Sequence, residues 1–340
     1  YDADRLGLND KAIKAIKALQ PGQVFVLENL RFLKNETAKL SREEFANEKL
    51  VKDLMEAGVQ YYALDGFSIA HRSQMSVVGF PGVPNMAGLS LKRELEGGSK
   101  VVELLEKNKT GEEKVAFILG GAKIQDYIGL IENALEANTV NKIVTGGLLG
   151  QLALFAKGHD LGAKSKKPLE KKDSKGKTIL DFKDKLVNLM EKYGDKLVMP
   201  IDVAYEMPGD ERKEYAIDAI PEEAKKDGSV LDIGAKTVAL YKEILSESSM
   251  VYWKGPLGAF DLNPKFADGS REVLHLLSDN DKIFSVMGGG DTGQMLQALD
   301  VTKEQLGYVS LAGGALIQLL AGKKLPGIAV LEESYEKHPL

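Results

Sequence analysis

One device recurs five times after residue 114 of this chain: an apolar run enters a glycine-rich turn, and a helix-length stretch follows. It occurs at VAFILGGAK (Val115 to Lys123), KIVTGGLLG (Lys142 to Gly150), MVYWKGPLG (Met250 to Gly258), IFSVMGGGDTG (Ile283 to Gly293) and YVSLAGGAL (Tyr308 to Leu316). Short apolar runs of this kind suit strands buried on both faces of a parallel sheet. Alternation with helices argues for an α/β protein, against a bundle or a sandwich. Further runs at Val24 to Leu27, Tyr61 to Leu64 and Leu197 to Pro200 extend the pattern. Met86 to Glu106, rich in Leu, Lys and Glu, reads as a long helix joining two lobes, with the boundary near residue 95. The lysine-rich tract Lys164 to Thr178 reads as a solvated connection.

In a doubly wound sheet such turns gather at the carboxyl ends of the strands, where ligands bind. Glycine lets backbone approach a ligand, and helix N-termini offer unpaired N–H groups to an anion, so phosphate is the natural guest. The same glycines would also serve plain tight turns. No GxxxxGK[ST] string occurs, which excludes a P-loop. Gly288 to Gly293 (GGGDTG) matches a dinucleotide fingerprint but sets Asp291 where a pyrophosphate would lie, and no acidic ribose ligand ends the next strand. A carboxylate among phosphates is intelligible if Mg²⁺ lies between them, so Asp291 reads as a Mg-nucleotide residue or as a helix N-cap.

Length and composition set outer limits. With 340 residues, 44% of them hydrophobic, two cores are affordable. A formal net charge of -5 provides no footprint for nucleic acid or an anionic membrane. The absence of cysteine suits a reducing compartment and removes thiolate chemistry. His71, His159, His275 and His338 show no metal-ligand spacing. A cytoplasmic monomer acting on small molecules is the expectation.

The strings LENLRF (Leu27 to Phe32), AHRSQMSVVGFPG (Ala70 to Gly82), LGGAK (Leu119 to Lys123), LDIGAKT (Leu231 to Thr237), WKGPLGAFD (Trp253 to Asp261), GGGDT (Gly288 to Thr292), SLAGGA (Ser310 to Ala315) and KLPGIAVL (Lys324 to Leu331) stand in an order that resembles the phosphoglycerate kinase family. The stretch Thr145 to Gly158 resembles its archaeal branch. The resemblance implies two Rossmann-like lobes with parallel sheets, joined by a long helix and hinge. Residues 1–94 would be the remainder of an acid-binding lobe, 95–325 a nucleotide-binding lobe, and 326–340 a tail returning to the first. It implies reversible phosphoryl transfer between 1,3-bisphosphoglycerate and Mg-ADP, giving 3-phosphoglycerate and Mg-ATP.

By position, Arg31 and Arg72 match arginines that grip the acid's phosphate, a task suited to the guanidinium fork. Gly120, Gly121, Ala122 and Lys123 match the nucleotide loop, with Lys123 as the charge that carries catalysis. Gly288, Gly289, Gly290, Asp291 and Thr292 match a second phosphate loop, Asp291 at the metal position. Asp261 stands where the family usually has a ribose-binding glutamate, and Lys254 where it commonly has asparagine. Tyr127 replaces a lysine that faces phosphate in many members, so either a positive charge has moved from 127 to 254, or Lys254 points to solvent and Tyr127 simply packs.

The family's opening aspartate/asparagine and histidine/arginine motifs and its transfer arginine have no match here, and the chain starts at Tyr1. The expectation is therefore an incomplete first lobe with unpaired apolar edges, and weak turnover by this chain alone. The other readings are a non-catalytic nucleotide-binding relative and a dinucleotide oxidoreductase.

Overall fold

The structure, a computed structural model, describes residues 1–173, 176–289, 292–310 and 312–338. It divides into two compact units, Tyr1–Glu96 with Lys323–Leu340, and Gly97–Gly322. The division falls inside the helix Leu89–Thr110.

In the first unit β1 (Tyr62–Leu64) and β2 (Asn85–Ala87) pair in parallel. The helix Pro326–Lys337 closes over them: Ser334 Oγ accepts from the Asn85 N–H at 2.7 Å, and the Gly327 N–H donates to the Ala70 carbonyl at 2.8 Å. The run Val24 to Leu27 forms no strand, contrary to expectation, and Val24 and Val26 are each 84% exposed. A strand needs a neighbour to satisfy its N–H and C=O groups, and among the described residues β1 and β2 pair only with each other. The long helix begins three residues later than its composition suggests, because Met86 belongs to β2. Its start is capped from a distance by the Asp65 carboxylate, which accepts from the Leu91 N–H at 2.9 Å.

The second unit opens with β3 (Val115–Leu119), β4 (Lys142–Thr145) and β5 (Leu197–Val198). It continues through β6 (Asp202–Met207), β7 (Glu211–Ala216) and β8 (Ser229–Ile233) to β9 (Met250–Lys254), β10 (Phe284–Gly288) and β11 (Tyr308–Ser310). Among the described residues six strands form one parallel sheet in the order β11-β10-β9-β3-β4-β5. All five residues of β3 and of β9 are buried, as a sheet covered on both faces requires. Trp253, Ile118, Val251 and Tyr241 anchor the core against it.

A separate antiparallel sheet, β7-β6-β8, was not expected. Its β7 is polar and largely exposed, so no apolar run announces it, although the hairpin loop Pro208-Gly209-Asp210 carries the turn chemistry that could have. The lysine-rich tract is also partly structural. Residues Ala163–Glu170 form a helix with Ser165 and Leu169 fully buried, and Ser165 Oγ accepts from the Val230 N–H at 3.0 Å. Ser174 and Lys175 in the same tract lie outside the described residues. Among the described residues no helix is long and apolar enough to cross a membrane.

Candidate functional site

The order of the large sheet contains a reversal. From β3 the chain builds outward through β4 and β5, then returns to the other side of β3 with β9, β10 and β11. The strand order thus reverses between β3 and β9, the kind of switch point beyond whose carboxyl ends ligands bind in open α/β sheets. Leu119 and Lys254 are register partners there, so the LGGAK and WKGP turns emerge side by side.

Backbone hydrogen bonds bind these turns together. The Gly120 N–H donates to the Lys254 carbonyl at 2.9 Å and the Gly121 N–H to the Pro256 carbonyl at 2.7 Å. From the β4 turn, the Gly147 N–H reaches the Leu257 carbonyl at 2.8 Å, and the Leu148 N–H the Gly121 carbonyl at 3.1 Å. The approach is too close for side chains: a Cβ on Gly120 would stand 2.1 Å from the Pro256 oxygen. Gly255 has φ +78, and a Cβ there would stand 2.3 Å from the Gly120 oxygen. Here glycine is required by packing as well as compatible with a ligand.

The expected nucleotide residues distribute as follows. Lys123 is exposed at the N-cap of the helix Ile124–Glu136, and Ala122 beside it is exposed. Lys254 is only 8% exposed, its Nζ 5.3 Å from the centroid of the Tyr127 ring. Gly288 ends β10, and the Thr292 N–H donates to the Gly289 carbonyl at 3.2 Å. Asp261 is exposed in a turn after β9. Gly290 and Asp291 lie outside the described residues. Among the described residues no cluster of acidic or histidine side chains is suited to hold a metal, so a Mg²⁺ reading rests on Asp291.

In the first unit Arg31 is exposed on the turn Leu30–Phe32, where the Asn29 side chain accepts from its N–H at 3.0 Å. Arg72 is half-buried, and its Nε donates to His71 Nε2 at 3.5 Å. Burial lowers the His71 pKa, which favours the neutral ring able to accept that bond. The residue that joins the two arginine-bearing segments is Glu36, which the motif reading did not single out. Its carboxylate accepts from the Ser76 hydroxyl at 2.5 Å and the Ser76 N–H at 3.2 Å, and its carbonyl from the Met75 N–H at 3.1 Å. Burial raises the Glu36 pKa, while the Ser76 donors and the Arg31 charge pull it back. Tyr62 donates to the Ser76 carbonyl at 2.6 Å, and its pKa is pushed up to about 12 by burial and then by Glu36.

The phosphoglycerate kinase family model matches residues 4–323. The chain belongs to the phosphoglycerate kinase family.

Its similarity to individual members is of the same extent. It is 36% identical to the phosphoglycerate kinase of Halorubrum lacusprofundi, covering 98% of this chain and 77% of that one. It is 37% identical to that of Methanococcus maripaludis, covering 97% and 77%. The crystal structure of the Pyrococcus horikoshii enzyme superposes with a TM-score of 0.80 at 32% identity, covering 98% of this chain and 78% of that one. These are archaeal relatives, as the stretch Thr145 to Gly158 suggested. The function is that of a phosphoglycerate kinase, a phosphotransferase, and the dinucleotide oxidoreductase reading of GGGDTG falls away. The expectation that a leading segment is absent draws no support from the family match; the chain spans about three quarters of its relatives' length.

The family string LDIGAKT proves to be a brace. Asp202 on β6 accepts from the N–H groups of Lys236 at 3.0 Å and Thr237 at 2.7 Å, capping the helix Ala235–Ser246. Asp232 accepts from the N–H groups of Ile233 at 2.9 Å and Gly269 at 3.0 Å and from Arg212 at 3.0 Å. Burial is the largest influence on Asp232 and pushes its carboxyl up to about 6 against the Gly269 N–H and the Arg212 charge. Neither aspartate was chosen from sequence, because apart from the Ile233 N–H beside Asp232 these partners lie 20 to 37 residues away.

Proposed function

We propose that the second unit binds Mg-ADP or Mg-ATP along the carboxyl edge of its large sheet, and that the first unit holds 3-phosphoglycerate or 1,3-bisphosphoglycerate. The observation that carries the reading is the convergence of the Gly120-Gly121 and Gly255-Pro256 turns at the β3/β9 reversal, with the buried Lys254 ammonium among them. Lys123 supplies charge to the transferring phosphoryl group, and Lys254 to the nucleotide phosphates. Gly288, Gly289, Gly290 and Thr292 form the second phosphate loop. Asp261 meets the ribose, and Asp291 meets the Mg²⁺ that arrives with the nucleotide. Arg31 and Arg72 hold the acid's phosphate.

In the glycolytic direction an oxygen of the ADP β-phosphate forms a bond to the acyl phosphorus, and the bond from that phosphorus to the carboxylate oxygen breaks. The proton balance is carried by the nucleotide and the released carboxylate, so no protein base is needed. Such a transition state calls for in-line positioning and fixed positive charge, which glycine turns and lysines provide. The same reading makes the protein a cytoplasmic monomer, in keeping with its lack of cysteine and modest negative charge.

Calorimetric titration of the full chain with ADP, with and without Mg²⁺, tests this. Mg-dependent binding is expected, weakened tenfold or more by Asp291→Ala. No heat from a folded sample would reject the nucleotide site, and no turnover in a coupled assay free of host kinase would reject catalysis by this chain.

A further inference from the structure

Lysine is rarely buried, because its ammonium must leave water. Lys254, at 8% exposure, therefore requires a structural reason. Its main chain is fixed as the last residue of β9, its carbonyl accepting from the Gly120 N–H. Its side chain runs toward the β10 turn: a Cβ on Gly289, where φ is +122, would stand 3.9 Å from Lys254 Cε. Its Nζ lies 5.3 Å from the centroid of the Tyr127 ring. An aromatic face attracts a cation through its quadrupole, more strongly once water is excluded.

Tyr127 is itself immobilised. It lies in the first turn of the helix Ile124–Glu136 and is 2% exposed. Its hydroxyl is wedged against the WKGP turn, 2.7 Å from where a Cβ on Gly255 would stand. The ring thus presents one face to the ammonium from a fixed place among the turns of β3, β9 and β10.

We propose that Tyr127 is a positioning residue whose ring carries the Lys254 ammonium at the meeting of these glycine turns, so that a nucleotide's phosphate oxygens encounter a charge already in place. This rests on the nucleotide reading above. Lysine is a point charge on a flexible stem, and holding the stem against a rigid ring removes rotamer freedom that binding would otherwise have to remove. The effect concerns phosphate alone, so adenosine, which has none, is the internal control.

The test is calorimetry on the full chain with ADP plus Mg²⁺ and with adenosine. Lys254→Met is expected to weaken ADP tenfold or more and adenosine less than twofold. Tyr127→Leu is expected to weaken ADP at least fivefold with adenosine unchanged, whereas Tyr127→Phe, which keeps the ring, stays within twofold of the parent. In the Lys254→Met background Tyr127→Leu is expected to add less than twofold. If Trp253 fluorescence shows that Tyr127→Leu does not fold, Tyr127→Met makes the same comparison. The proposal is overturned if Tyr127→Leu costs the same factor with and without Lys254, if ADP and adenosine weaken together, or if Tyr127→Phe loses ADP affinity. A parent chain that binds neither ligand would overturn the nucleotide reading as well, whereas ADP binding with additive substitutions overturns the positioning role alone.

Discussion

Replacing Arg212 with methionine should expose how charge is managed behind the WKGP turn. The Arg212 guanidinium, 16% exposed, donates to Asp232 at 3.0 Å and to Glu214 at 2.8 Å, and lies over the Phe266 ring at 5.3 Å. The Asp232 side chain is fully buried, and a Cβ on Gly258 would stand 2.4 Å from its Oδ1, so the carboxylate props that turn directly. Arg212→Met leaves the carboxylate its two N–H donors but removes its principal counter-charge. Breaking a buried pair from one side costs roughly 3–5 kcal/mol, and the partial exposure of Arg212 favours the lower end, about 3 kcal/mol at pH 8. The Asp232 carboxyl lies at about 6 in the folded protein against an ordinary 3.8. Between those values the folded protein binds more protons than the unfolded chain, so this group's contribution is fully present below the lower value and is lost as pH rises through the upper one. Without Arg212 the folded value rises further. The penalty should then be largest at pH 8 and shrink by at least ~1 kcal/mol at pH 5, where a protonated carboxyl needs no counter-charge. Urea unfolding followed by Trp253, the sole tryptophan and fully buried in this unit, reads the effect. Asp232→Asn in the Arg212→Met background should flatten the pH dependence. An equal penalty at both pH values would refute the reasoning.

Two further outcomes follow from the turns and from Glu36. Gly120→Ala should weaken Mg-ADP binding at least tenfold by calorimetry, because its Cβ would stand 2.1 Å from the Pro256 carbonyl oxygen and force the two turns apart; undiminished affinity would show that the turns can separate without affecting the site. Glu36→Gln should flatten the pH dependence of first-unit stability, since burial raises the Glu36 pKa and its contribution is lost as pH rises through the folded value. Hydrogen exchange at Met75 and Ser76 would record this, and an unchanged pH profile would remove Glu36 from the account.

What was legible in the chain was whatever local pattern dictates. The apolar runs that open four of the quoted strings fall on β3, β4, β9 and β10, because parallel strands buried on both faces are continuous apolar runs with glycine at their exits. The glycine turns were legible for the same reason, and the order of the quoted strings identified the family before any coordinates. Val24 to Leu27 shows the limit: its residues suit a strand, but a strand exists only when another chain segment supplies hydrogen bonds, and among the described residues none pairs with it as a strand.

The tertiary structure decided everything that depends on residues distant in sequence. Tyr127 and Lys254 are both visible in the sequence, yet only packing brings ring and ammonium to 5.3 Å. Glu36 resembles any surface glutamate until Ser76, forty residues on, gives it a hydroxyl and an N–H to accept from. Asp232 and Arg212 stand on different strands of a sheet whose polar edge no apolar run announces, and burial together with their pairing sets the charge state behind the WKGP turn. Propensity and hydrophobic pattern act over a few residues and are written in order along the chain. Burial, register and electrostatic coupling depend on which segments become neighbours, and that is settled only when the chain closes on itself.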